Sequence, residues 1–246
     1  MDSLLIPHWP APANVRAYST TRLGGISPAP YASLNLGLHV GDSPAAVAQN
    51  RRRLEVMAQL PASPNWLEQV HGTDVAVINE SCGNGDTPPR ADAAYTRAAG
   101  QVCAVMTADC LPVLFCDRAG TEVAAAHAGW RGLCAGILEQ TLARFQSDPA
   151  DIMAWLGPAI GPRSFEVGPE VREAFVSQDP RAGEAFVPHG EKYLADIYHL
   201  ARLRLSGAGI GQISGGDHCT VFEASTFFSY RRDGITGRMA SLVWLI

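Results

Sequence analysis

The chain has 246 residues, 47% of them apolar and 17% charged, with a net charge of −5. That length supports a large buried core, and low charge at ordinary hydrophobicity argues against disorder. An acidic chain with one lysine, Lys192, and no cationic cluster beyond Arg51-Arg52-Arg53 lacks the basic face that nucleic acid selects. Those three arginines are read as the solvated side of a helix. No apolar run approaches the ~18 residues of a membrane span. The N-terminal MDSLLIPHWPAP has no basic n-region and too short an apolar stretch for a secretory signal. The expected setting is the cytoplasm, with no membrane and no nucleic-acid partner. No CxxC pair occurs, so Cys82, Cys103, Cys110, Cys116, Cys134 and Cys219 are expected as reduced thiols.

In chain order, Ser43-Pro44 has the form of an N-cap and first helical position, and predicts a helix to about Leu60. Asn65 to Val70 and Asp74 to Ile78 predict short strands around a His-Gly turn. Ser81 to Arg90, SCGNGDTPPR, reads as a surface loop. Val102 to Thr107, Pro112 to Cys116 and Glu122 to Ala126 predict buried strands. Leu133, Ile137, Leu138, Leu142 and Phe145 fall on one side of a helix spanning Trp130 to Phe145. Ile152 to Leu156 predicts a strand, and Gly168-Pro169-Glu170 opens a helix to about Val176. Leu194, Ile197, Ala201 and Leu205 mark a third long helix, and Gly207, Gly209 and Gly211 the loop after it. Ser241 to Ile246 predicts a last strand. Strands and helices alternate without a regular βαβ period, so the reading is one domain over residues 1–246, of α+β class, with layered mixed β-sheets flanked by helices.

No P-loop, HExxH or GxSxG motif is present. Three other segments stand out: Gln69-Val70-His71-Gly72, Thr107-Ala108-Asp109-Cys110-Leu111-Pro112 and Ala126-His127-Ala128-Gly129-Trp130-Arg131-Gly132. Each puts a metal-ligating side chain at the end of a predicted strand, and strand ends gather at one sheet edge. Two imidazoles and one thiolate, His71, His127 and Cys110, suit zinc and also copper. Three protein ligands leave a fourth position for water or substrate, the pattern of a catalytic site. A competing reading makes Cys110 a nucleophile, His71 or His127 its base and Asp109 the orienting group. Composition does not separate the two.

These segments resemble those of the YfiH-like family, known also as the PgeF, polyphenol oxidase or purine nucleoside phosphorylase family. So do Thr20-Thr21-Arg22-Leu23-Gly24-Gly25, Ser33-Leu34-Asn35-Leu36-Gly37, Leu156-Gly157-Pro158-Ala159-Ile160-Gly161-Pro162, Phe165-Glu166-Val167-Gly168, Phe227-Phe228-Ser229-Tyr230-Arg231-Arg232-Asp233-Gly234 and Thr236-Gly237-Arg238-Met239-Ala240. The matches run in family order from about Tyr18 to Trp244. The resemblance implies a YfiH-like α+β fold of packed sheets and flanking helices. It implies a metal site of His71, Cys110 and His127, normally holding zinc, with copper the alternative. It implies phosphorolysis of adenosine, inosine and methylthioadenosine, with some adenosine deaminase activity. Other members have been described as copper laccases, and one bacterial branch is linked to editing peptidoglycan precursors. A multinuclear copper cluster is hard to build here, because the chain has seven histidines and no HxH pair.

The expected partners are a purine nucleoside and phosphate, with a homodimer left open. Phosphate wants fixed cations, and arginine's planar fork suits it. Arg131, four residues after His127, is the first candidate; otherwise it braces the His127 turn through an internal salt bridge. Arg231, Arg232 and Arg22, which precedes Gly24-Gly25, are the others. Asn35 is a candidate for ribose hydroxyls or phosphate. Phe227, Phe228 and Tyr230 are candidates to stack on the purine. The H-x-E element of other zinc deaminases is absent, since Ala128 and Gly129 follow His127; Asp109 is the candidate proton shuttle.

Overall fold

The computed structural model describes residues 3–79 and 87–246. Strands are numbered in chain order. An antiparallel sheet joins β1 (Leu4–Leu5), β2 (Val15–Thr20), β13 (Met239–Leu245) and β5 (Val102–Thr107), in that spatial order. A mixed sheet runs β12 (Gln212–Gly215), β8 (Ile152–Leu156), β6 (Leu111–Asp117), β7 (Val123–Ala128), β4 (Ala93–Thr96), β3 (Val75–Ile78). Its two outer pairs, β12–β8 and β3–β4, are parallel and the inner ones antiparallel. A small third sheet joins β10 (Phe186–His189), β11 (Lys192–Ala195) and β9 (Glu166–Val167). The helices are α1 (Pro44–Met57), α2 (Trp130–Ala135), α3 (Ile137–Leu142), α4 (Pro169–Val176), α5 (Ile197–Gly207) and α6 (Tyr230–Asp233).

The period-two alternation of side chains stacks these elements in four layers. Cys103 and Val105 of β5 and Val243 and Leu245 of β13 meet Leu114 and Cys116 of β6 and Val123 and Ala125 of β7 between the two large sheets. The opposite faces, Val102, Ala104 and Met106 of β5 with Leu242 and Trp244 of β13, pack on Leu54 of α1. Leu111, Val113 and Phe115 of β6 face Ile137, Leu138 and Leu142 of α3 and Leu200, Ala201 and Leu205 of α5. Strands covered on both faces are apolar at nearly every position, which is why β5 and β6 are legible in the sequence as unbroken runs. The layered α+β class is as expected, and so is the loop placing Gly207, Gly209 and Gly211 between α5 and β12.

Several expectations need correction. Residues 65–70 form no strand. Asn65 and Glu68 make single bridges to Cys103 and Arg90, and the Gln69 amide both donates to Met106 O and accepts from Met106 N. The segment therefore ties the open edge of β5 to the start of β4 without joining either sheet. The helix expected over 130–145 is broken at Gly136, whose φ of +102° ends α2 and starts α3. Leu194 lies in β11; the helix begins only after Asp196, whose carboxylate caps His199 N–H. α1 ends at Met57, and the Ser43 side chain makes no capping bond. Strands β1, β2, β4, β9, β10 and β11 lie outside the expected strands. Arg51 is not on the solvated face: it bonds Leu36 O and lies 4.1 Å over the Trp66 ring, while Arg52 and Arg53 are exposed. The five described cysteines are free thiols. Cys82 and most of the Ser81–Arg90 loop lie outside the described residues. No helix among the described residues is long and apolar enough to cross a membrane.

Candidate metal centre

The turn Ala108-Asp109-Cys110 carries the chain from β5, in one large sheet, to β6, in the other, and so sets the Cys110 thiol at their shared edge. His127 occupies the penultimate position of β7, directly across from Pro112 of β6. His71 arrives on the loop before β3. Its ligand atom and those of Cys110 and His127 all lie within 4.8 Å of one another. Cys110 Sγ is 3.8 Å from His71 Nε2, and the two imidazole rings meet edge to face at 4.8 Å. Ligands at ordinary zinc distances and tetrahedral angles sit about 3.5 Å apart, so the spacing fits a metal held between them. Gly129 makes the approach possible: a Cβ there would stand 3.0 Å from Cys110 Sγ and 2.9 Å from His71 Cδ2. The nucleophile reading needs only one histidine beside the thiol; both converge on it.

Asp92, fully buried at the start of β4, holds two of the three ligands. Its carboxylate accepts from His127 Nδ1 at 2.8 Å, which leaves Nε2 as the ligating nitrogen. The same carboxylate accepts from the backbone N–H groups of Val70, His71 and Gly72 at 3.1, 2.9 and 2.7 Å. Three consecutive amides converge because His71 is left-handed, with φ +60°. Asp92 O also accepts from His127 N at 2.7 Å. A carboxylate behind a histidine ligand fixes its tautomer and raises its basicity. Burial opposes charge on Asp92, but the His127 and backbone hydrogen bonds outweigh it and hold the carboxyl below its ordinary range.

The electrostatics favour the ligating form of the thiol. Burial alone would push the Cys110 thiol up; the charge and hydrogen bond of His127, then His71, reverse this and bring it down. Burial would likewise lower His127, and the Cys110 thiolate and Asp92 raise it instead. Thiolate is the form that binds metal. By contrast, burial pushes Cys103 and Cys116 up, as expected of inert core thiols.

The three donors form one wall of a cavity of about 610 Å³, completed by His39, Leu67, Glu68, Gln69, Met106, Tyr230 and Arg238 among others. Several of the expected binding residues are elsewhere. Asp109 has φ +98°, and its carboxylate is used by Thr220 Oγ1 and Arg231 N–H, each at 2.6 Å. It pins the Cys110 turn, with each oxygen already accepting one hydrogen bond. Phe227 and Phe228 have no exposed surface and pack with Ala108 and Met239. Neither can stack on a ligand; Tyr230, 60% exposed, can. Asn35 is fully buried and bonds Gly37, Asp42 and the Arg238 N–H. Arg22 donates to Ala32 O and Ala224 O and lies 4.8 Å over Phe228. Arg231 reaches Glu166 O, and Arg232 binds Asp233 and Thr220 O. Arg131 is exposed, 4.5 Å over its neighbour Trp130, and neither lines the cavity nor makes a salt bridge to brace the turn. Sequence reasoning missed Asp92, Glu68, His39 and Arg238. The one available signal for Asp92 was an acid opening an otherwise apolar run.

The family model described as "Multi-copper polyphenol oxidoreductase laccase" matches residues 16–246. The purine nucleoside phosphorylase YfiH of Escherichia coli (strain K12) is 62% identical over 246 residues, with 100% of both chains covered. A purine nucleoside phosphorylase of Pseudomonas aeruginosa is 54% identical over 247 residues, covering 100% of this chain and 99% of that one. Among solved structures, a Neisseria meningitidis protein superposes with a TM-score of 0.95 at 54% identity, covering 99% of each chain. Bacillus licheniformis YfiH does so at 0.92 and 34% identity, covering 100% of this chain and 97% of that one.

Proposed function

The chain belongs to the YfiH family, the multi-copper polyphenol oxidoreductase laccase family of the matching model, and from that premise we propose that it is a zinc-dependent purine nucleoside phosphorylase. Its substrates on this reading are adenosine, inosine and S-methyl-5′-thioadenosine. The observation that carries the reading is the convergence of His71, Cys110 and His127 on a cavity of about 610 Å³. Pockets of roughly 300–1,000 Å³ suit ligands of nucleoside size. When bound to these donors, the metal supplies a Lewis acid.

In the reaction, an oxygen of inorganic phosphate bonds to the anomeric carbon as the bond from that carbon to the purine nitrogen breaks. The electron pair leaves with the purine, which takes the phosphate's proton; the products are free base and ribose 1-phosphate. Tyr230 offers its exposed ring to the purine, and Leu67, Met106 and Ala108 line the cavity with apolar surface that displaces water. Glu68, on the cavity wall, is the acid placed to relay the proton. The same carboxylate, which lines the cavity with the metal donors, is the acid available for the role of the missing H-x-E element in a deaminase side activity. A laccase is less well supported. The described residues hold one group of three clustered donors, and a multinuclear copper centre needs more imidazoles than that.

Metal analysis joined to an assay on the three nucleosides tests the proposal. The expected result is one zinc per chain and base release that requires phosphate and yields ribose 1-phosphate. Phosphate-independent release, or phenol oxidation by the copper-loaded protein without phosphorolysis, overturns it.

A further inference from the structure

We propose that Arg238 and His39 form the anion subsite of this cavity and hold inorganic phosphate in the space that Cys110 also lines. The proposal rests on the phosphorolytic reading for its ligand, but its residues follow from geometry alone.

Every other arginine considered for the phosphate is engaged elsewhere. The guanidinium groups of Arg22 and Arg231 donate to backbone carbonyls, that of Arg232 binds Asp233, and Arg131 lies outside the cavity. Arg238 is half-buried and lines the cavity with the three metal donors. Only its Nη1 is used, on Thr236 O and Gly237 O at 3.2 and 3.1 Å. Among the described residues no acceptor bonds Nε or Nη2, and no carboxylate pairs with the group. It stands close enough to Cys110 and Asp109 for their charges to act on it. A guanidinium with a free two-donor edge and no salt bridge is complementary to a phosphate.

His39 stands beside it. Burial first, and then the positive charges of Arg238 and Arg51, hold its imidazole below the ordinary value. Its ring nitrogens offer an N–H to a ligand in the cavity. The pair is built deliberately. A Cβ on Gly37 would stand 2.9 Å from Arg238 Cγ and 3.4 Å from His39 Cε1, so both side chains pack against that glycine. Behind it, Asn35 Oδ1 accepts from Gly37 N at 3.0 Å and from Arg238 N at 2.9 Å. Asn35 Nδ2 donates to Asp42 Oδ2, and Ser27 donates to the same oxygen. This buried network locks the 3-10 turn bearing His39 to Arg238, the residue just before β13 and 199 residues away in sequence. Asn35 is thus a positioning residue for the subsite.

The test compares Arg238→Gln, Arg238→Lys and His39→Gln with wild type, each checked for unchanged circular dichroism and zinc content. The readouts are the KM for phosphate, the KM for inosine, and the rise in melting temperature on adding inorganic phosphate. Losing a charge-assisted pair of bonds is expected to raise the phosphate KM about ten- to a hundredfold, with the inosine KM changed less than about threefold. Arg238→Gln is expected to abolish the phosphate-induced thermal shift. Arg238→Lys is expected to recover part of it, and His39→Gln to give a smaller loss. An unaltered phosphate KM and thermal shift in Arg238→Gln overturns the subsite while phosphorolysis by the wild type stands. Conversely, if the wild type cleaves nucleosides without phosphate, yet phosphate stabilises it and not Arg238→Gln, the phosphorolytic reading fails and the anion subsite holds.

Discussion

The β6–β7 hairpin buries polar groups at both of its ends, and the two ends do opposite things with them. At the turn, Asp117 accepts from Thr121 N, Thr121 Oγ1 and Glu122 N at 2.7–2.8 Å, and Glu122 accepts from Tyr95 Oη, Gln146 N, Ser147 N and Ser147 Oγ. Donors and acceptors there are matched and turned on each other. At the other end, Cys110 and His127 are joined by His71, and their ligating atoms face a common point next to a cavity. Buried polar groups cost little when paired and a great deal when not. The turn is a network that closes on itself. The metal end is stable as built only because Asp92 anchors it from behind, and its front is left for a ligand. Chemistry is possible at the end whose hydrogen bonding is incomplete.

That contrast is broken most severely at the metal end. His127→Ala removes a ligand and the partner of Asp92 together, so zinc affinity is expected to fall by more than the ~10–100-fold typical of losing an outer partner. Phosphorolysis is expected to vanish with it, while circular dichroism is unchanged. Asp92→Asn removes no ligand and separates anchoring from ligation. It is expected to weaken zinc by about 10–100-fold and destabilise the zinc-free protein by roughly 1–3 kcal/mol, since a charged acceptor of four hydrogen bonds becomes neutral. Competition with a chelator and a thermal melt read the two effects. Full zinc affinity in Asp92→Asn would show that the ligands are held by packing alone.

The opposite end is expected to fail without touching the chemistry. Burial disfavours the Asp117 charge, but the bonds from Glu122 N, Thr121 and Ser147 outweigh it and hold the carboxyl below its ordinary value. A depressed folded value contributes stability above the unfolded value of about 3.9, and that contribution is lost as pH falls through the folded value. Asp117→Asn is therefore expected to lower the melting temperature by roughly 3–10 °C at pH 7, with a smaller deficit at pH 3. Zinc content and phosphate KM stay as in the wild type. A deficit that grows on acidification would contradict the sign.

How much of this was legible in the sequence follows from how far each signal reaches along the chain. The candidate ligands His71, Cys110 and His127 could be found because each stands in an unusual local motif, Cys110 and His127 at strand ends and His71 in the loop before β3. Asp92 could not, because its role needs two facts that are not local: the pairing of β4 with β7, and a left-handed His71 that turns three amides toward it. Arg238 was quoted in a matching segment and given no role. Its use depends on Asn35, which reaches it from the first third of the chain to the last. The aromatic pair Phe227-Phe228 misled because stacking and core packing use the same residue types; only burial separates them. Leu194 misled because 194, 197, 201 and 205 keep a helical spacing although the chain is extended up to Ala195.

The smallest expected effect belongs to Arg131, and it bears on which arginine faces the ligand. Its placement in the motif after His127 made it the natural phosphate candidate, and α2 is only six residues long with Arg131 on its outer side. A guanidinium stacked on an exposed ring contributes about 0.5–1 kcal/mol, and water solvates the cation well in the absence of that contact. Arg131→Ala is therefore expected to lower the melting temperature by no more than about 4 °C and to leave the phosphate KM within about twofold of wild type. Arg238→Gln, by contrast, removes a half-buried cation that no carboxylate pairs with in a salt bridge, so its effect should appear in phosphate binding and little in the melt. Measured side by side, the two variants separate proximity in sequence from proximity to the site. A large phosphate effect in Arg131→Ala would require the Trp130 stack to open and the anion to enter from the α2 side of His127, away from the Arg238 wall.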